Sequence, residues 1–164
     1  MMFALLAIVA TAQVDGTSEP GFNLSILILH RGGVSQNTHT LEVKLTNTSN
    51  EMRRETFCGN NPGGYSLMVV HDGALMEERE EVQTLRKQGR FLGCYGVKVL
   101  RRSQPGQYVT DELEVNDFYD MSKPGTYEIT VSKETNPDHP EKSVTVKSNT
   151  LTVVVPEPES STPN

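Results

Sequence analysis

Apolar and polar positions alternate with a period of two over most of the chain. In Phe22 to Leu29 the residues Phe22, Leu24, Ile26 and Ile28 fall on one face, and from Leu41 to Leu45 the apolar Leu41, Val43 and Leu45 alternate with Glu42 and Lys44. Tyr65 to Val70 predicts a third strand, ended by His71-Asp72-Gly73, whose Asp-Gly step suits a tight hairpin turn. Further strands are expected at Tyr95 to Leu100 and Tyr108 to Val115. Two more follow at Thr126 to Lys133, with Tyr127, Ile129 and Val131 on one face, and at Ser143 to Val155, broken by Ser148-Asn149. Asn47-Thr48-Ser49-Asn50, Asn60-Asn61-Pro62-Gly63-Gly64 and Gln104-Pro105-Gly106 carry turn chemistry between them. The pattern predicts an all-β, antiparallel sandwich of about seven to eight strands.

One segment leaves this period. From Met76 to Gly89, Glu77, Glu78, Glu80 and Glu81 crowd the start and Arg86 and Lys87 the end, with Gly89 behind them. That is the charge order a helix dipole favours, with a stop signal. Val82 and Leu85 make only a thin apolar stripe, so a short surface helix over 76–88 and an irregular excursion between strands both fit.

The chain's two ends set its organisation. Phe3 to Ala10 is an apolar run followed by Ala10-Thr11-Ala12, the small-x-small pattern of a signal-peptidase site, so 1–12 is expected to be a signal peptide and Gln13 the mature start. The run is short and no Lys or Arg precedes it, as a start placed too far downstream would produce. Residues 13–19 then read as a flexible lead, 20–156 as the sandwich, and 157–164, rich in Pro, Glu and Ser, as a disordered tail. No segment approaches a membrane span of about 18 apolar residues, so no membrane insertion is expected after signal removal.

Charge narrows the partners. With a net charge of −6 and a pI near 5.2, the 164-residue chain lacks the dense Lys and Arg that nucleic acids and anionic membranes select, and Arg101-Arg102 is too short to count as a basic patch. The absence of Trp also weakens a sugar-binding reading. The only two cysteines, Cys58 and Cys94, are expected to form a disulfide in an oxidising compartment, contributing roughly 3–4 kcal/mol.

Candidate chemistry is sparse. His30, His39, His71 and His139 lie on separate loops and strand ends, without the spacing that would put two on one face. His71-Asp72 could pair a base with its orienter, but adjacent residues on a strand end point to opposite sides, and the hairpin already accounts for the Asp. Glu77 to Glu81 lacks the alternating Asp/Asn and Gly of a calcium loop and reads as a solvated face. The Asn23 and Asn47 sequons matter only in a eukaryotic secretory host. No cofactor or metal is expected.

The stretch Asp120-Met121-Ser122-Lys123-Pro124-Gly125-Thr126-Tyr127-Glu128-Ile129-Thr130-Val131, followed by Lys147-Ser148-Asn149-Thr150-Leu151-Thr152-Val153, resembles the closing strand pair of bacterial exported immunoglobulin-like domains. Leu41 to Asn50 is similar to the second strand of that group. Pro-Gly-Thr-Tyr also resembles the strand entry of fibronectin type III and macroglobulin-type domains, which implies a corner role for Tyr127: ring buried, hydroxyl bonded to nearby backbone. Ile129 stands where antibody-type domains carry their second Cys, and there is no core Trp.

The resemblance implies an immunoglobulin-like sandwich that is secreted, periplasmic or held in the cell envelope. The function expected is non-catalytic, a contact with an unknown protein partner. A peptidase inhibitor is the alternative, since the bacterial intracellular proteinase inhibitor family uses such sandwiches with projecting loops, for which Phe57 to Gly64 and Arg86 to Gly93 are the candidates here. A hydrolase built from loops is the third reading.

Overall fold

In the computed structural model the described residues are 21–29, 39–58, 64–88, 98–135 and 144–157; for 56–58, 98 and 99 the backbone alone is described. Their elements in chain order are β1 (Phe22–Leu29), β2 (Thr40–Asn47), β3 (Arg53–Cys58), β4 (Tyr65–His71), β5 (Ala74–Leu75), α1 (Glu80–Lys87), β6 (Lys98–Ser103), β7 (Tyr108–Glu114), a 3-10 turn (Val115–Asp117), β8 (Gly125–Thr135), β9 (Val144–Lys147) and β10 (Leu151–Val155).

All pairings are antiparallel, in three sheets: β1-β2-β7, then β10-β8-β4-β5 with β9 also on β8, and the two-stranded β3-β6. Directly opposed residues share a face. Ile26 opposite Val43, and Leu41 opposite Leu113, therefore line the inside of the first sheet. Val69 opposite Ile129, and Tyr127 opposite Val153, line the inside of the second. These faces join in a single buried core, to which Val82 of α1 and Phe118, Tyr119 and Met121 after the 3-10 turn also belong. Burial of each large aliphatic side chain contributes about 1.5–3 kcal/mol, which makes the alternation the main determinant of this all-β sandwich.

The strand expected over 143–155 divides into β9 and β10. Lys147 is opposite Ser132 and Leu151 opposite Ile129, so Ser148, Asn149 and Thr150 stand against only Thr130 and Val131, which makes a bulge. Ser148 restores the ladder: its N–H donates to Val131 O at 2.8 Å and its Oγ accepts from Val131 N at 2.9 Å. Asn149 turns toward β1, where its Oδ1 accepts from Ile26 N at 2.8 Å and its Nδ2 donates to Ile26 O at 3.2 Å. The side-chain amide thus imitates a peptide group and ties the two sheets together.

Segment 76–88 resolves as a helix over Glu80–Lys87, with Glu80 and Glu81 in its first turn and Arg86 and Lys87 in its last. Val82 anchors it in the core, and Arg86 clamps its C-terminal end to Glu78 through two bonds of 2.6 and 2.7 Å. Among the described residues, no helix is long and apolar enough to cross a membrane.

Candidate functional site

The β3-β6 ribbon lies outside both sandwich sheets. It begins where Asn47 and Gln107 bend the chain out of β2 and toward β7: Asn47 N–H donates to Gln107 O and its carbonyl accepts from Gly106 N, both at 2.9 Å. The Asn47 side chain is wholly buried, and its Nδ2 donates to Glu51 O at 2.8 Å and Ser103 O at 2.9 Å. That sequon is thus spent on the junction. Along the ribbon Arg53 opposes Ser103, Arg54 opposes Arg102 and Glu55 opposes Arg101.

Alternation gives the ribbon two chemically distinct faces. On the inner face Glu55 is buried, and among the described residues neither of its carboxylate oxygens has a hydrogen-bond partner. Burial pushes its pKa from 4.5 up to about 7, against the opposing pull of Lys133 and then Arg53. Lys133, from β8, is buried too. Its pKa is lowered by that burial, with Glu55 and Asp111 acting the other way, and its ammonium lies 4.9 Å from the centre of the Tyr65 ring. The Tyr65 hydroxyl donates to Asp111 Oδ2 at 3.0 Å, and its pKa is raised first by burial and then by Asp111. Arg101 reaches Asp111 Oδ1 at 3.4 Å and Thr110 O at 3.3 Å, which holds the ribbon to β7. This arrangement can take up and release a proton near neutrality, but the enclosed carboxyl presents no surface to a substrate.

The outer face is the opposite case. Arg54 and Arg102 are exposed and directly opposed, and among the described residues neither guanidinium has a hydrogen-bond or ion-pair partner. Leu100 is 54% exposed on the same face, and Met52, at 40%, continues it past the strand end. Like charges in direct cross-strand register destabilise a sheet, so this surface is not built for the ribbon's own stability.

The residues singled out by sequence go elsewhere. His39 is buried, with its N–H on Asn116 Oδ1 at 2.9 Å and its Nδ1 at 3.2 Å from the same oxygen. His71 stacks on Tyr127 with ring centroids 4.4 Å apart, and its Nε2 lies 3.0 Å from Pro124 O. Its neighbour Asp72 does not point away as strand alternation predicts. The hairpin turn puts Asp72 at φ +47, which brings Oδ2 to 3.4 Å from His71 Nε2, while Oδ1 accepts from Thr126 N at 2.8 Å. Both residues are spent on the corner at 124–126. Gly125, at φ +139, is required there, because a Cβ would run into His71 Nε2 and the Asp72 carboxylate. Tyr127 is fully buried and its hydroxyl donates to Lys123 O at 2.7 Å. Glu77, Glu80 and Glu81 are exposed, and Glu78 is held by Arg86. Among the described residues, no group of three or more His, Cys, Asp or Glu could hold a metal ion.

His30, Cys94, His139, the segment 1–19, most of both candidate inhibitory loops and 158–164 lie outside the described residues. The β3-β6 register places Cys58 opposite Lys98, four positions from Cys94, a reach of up to about 14 Å of extended chain. Thiol titration of the unfolded, non-reduced protein is expected to find no free thiol, and finding two would overturn the expectation of a Cys58–Cys94 disulfide.

Sequence reasoning missed the ribbon's chemistry because it is made across strands. Arg101-Arg102 reads as a basic pair, yet Arg101 turns inward to Asp111 while Arg102 pairs outward with Arg54, which is 48 positions away. No protein-family model matches the chain, and no curated protein matches it either.

Proposed function

We propose that the chain is a non-catalytic immunoglobulin-like module, exported to the bacterial cell envelope, that binds a protein partner through the outer face of the β3-β6 ribbon. The observation that carries this reading is the contrast between the two faces of one ribbon: on the inner face Glu55 is buried and Arg101 is tied to Asp111, while the outer face leaves Arg54, Arg102 and Leu100 exposed. Exposed apolar and Arg side chains on an element tied to the sandwich are the composition of a contact surface. The immunoglobulin-like assignment is supported by the strand order. β1-β2-β7 against β10-β8-β4-β5 follows the A-B-E and G-F-C-C′ pattern of such sandwiches, and the Tyr127 hydroxyl bonded to Lys123 O follows their tyrosine corner. Export is supported by the signal-like run from Phe3 to Ala12.

Crosslinked pull-down from an envelope extract tests the reading. Leu100→Asp is expected to lose a specific partner that wild type and Leu27→Asp retain, Leu27 being 45% exposed on the first sheet. Retention of the partner by Leu100→Asp would overturn the assignment of the ribbon. Inhibition of any member of a peptidase panel would favour the inhibitor reading instead.

A further inference from the structure

Building on that reading, we infer that the ribbon's outer face binds an extended protein segment in which an acidic residue stands two positions from an aliphatic one. The carboxylate would sit between Arg54 and Arg102, and the aliphatic side chain would lie on Leu100. Three observations converge on this occupant.

The first is the register. Directly opposed residues have their Cβ atoms about 4.5–5.5 Å apart, so two guanidinium groups there repel one another unless an anion lies between them. A carboxylate accepts from both in the charge-assisted, forked geometry that Arg favours. The second is spacing. Leu100 stands two positions before Arg102 on the same face of β6, so charge and apolar surface are spaced as on an extended peptide, about 3.3 Å per residue. The third is the rest of the molecule. At a net charge of −6 the long-range field repels polyanions such as nucleic acid or an anionic bilayer, whereas a single carboxylate engages the pair locally, within a Debye length of about 8–10 Å.

The test uses the full chain and three labelled peptides, read by fluorescence anisotropy at low salt. They are Glu-Thr-Leu-Thr-Glu-Thr-Leu, the same peptide with Lys for Glu, and the same peptide with Ser for Leu. The first is expected to bind, and each of the others to bind about tenfold more weakly or worse. The Arg54→Gln, Arg102→Gln double variant should weaken the first peptide by a similar factor. Arg54→Glu is the decisive variant: it replaces a like-charged cross-strand pair with an opposite-charged one, so binding should be lost while the thermal midpoint stays the same or rises. No binding by the acidic peptide, equal binding by its Lys counterpart, a lowered midpoint for Arg54→Glu, or equal binding of RNA or anionic vesicles would overturn the inference. Loss of the envelope partner with Leu100→Asp but not with Arg54→Glu would overturn it too, while leaving the ribbon as the contact surface.

Discussion

Replacing Tyr127 with alanine is expected to lower the free energy of unfolding by roughly 3–5 kcal/mol. The residue is fully buried at the start of β8, opposite both Val153 of β10 and His71 of β4, and its ring stacks on the His71 imidazole. Truncation would therefore open a cavity at the point where three strands of the second sheet meet. It would also leave the Lys123 carbonyl without the hydroxyl that now donates to it, and free His71 from its stacking partner. Tyr127→Phe separates the two effects: the ring stays, the hydrogen bond goes, and the expected cost falls to about 1–2 kcal/mol. Urea unfolding of the three proteins measures this directly. An alanine variant as stable as wild type would show that the corner does not organise the sheet.

The second large effect is a dependence on pH carried by Glu55. Its folded pKa of about 7 lies above the ordinary 4.5, because burial penalises the charged form more than Lys133 and Arg53 favour it. The folded state therefore holds the proton more tightly than the unfolded chain. Its contribution to stability is complete below pH 4.5, falls as the unfolded chain ionises, and is gone once pH has risen through about 7. Allowing for solvent screening, the displacement corresponds to about 2–3 kcal/mol. Lys133 works in the opposite sense: its lowered pKa favours the folded state above the ordinary 10.5, and that contribution is lost as pH falls through the folded value. Tyr65, Asp111, Arg53 and Arg101 are the other charged or titratable groups in the cluster. Glu55→Gln isolates the carboxyl. The stability difference between variant and wild type should change by about 2–3 kcal/mol between pH 4.5 and 7.5, in favour of the variant at the higher pH. Parallel curves would mean that Glu55 does not titrate in this window.

The strands that were legible are those with a run of three apolar residues at inward positions. Leu24, Ile26 and Phe22 in β1, Leu41, Val43 and Leu45 in β2, and Tyr127, Ile129 and Val131 in β8 are all buried as the period of two predicts. β3 was not legible because its inward positions include Arg53 and Glu55, so the alternation that marks a half-buried strand is absent. β6 was expected to end at Leu100 but runs to Ser103, since its continuation is Arg101 and Arg102. Periodicity reports burial through hydrophobicity, and it is silent where a buried face is made of charges that find one another across strands. The candidate site sits in that blind spot. Glu55, Lys133, Tyr65 and Asp111 come from four different strands, and only the fold brings them together.

The Asn149 amide also bears on the order in which the molecule assembles. It ties β1, already paired with β2, to the second sheet by a bond pair that spans 123 positions. A contact of such long sequence separation is expected to form late in folding. A chain ending before Asn149 would lack this tie between β1 and the second sheet, although β2 could still pair with β7. Asn149→Ala should accordingly speed unfolding far more than it slows folding, because a contact formed last is absent from the transition state.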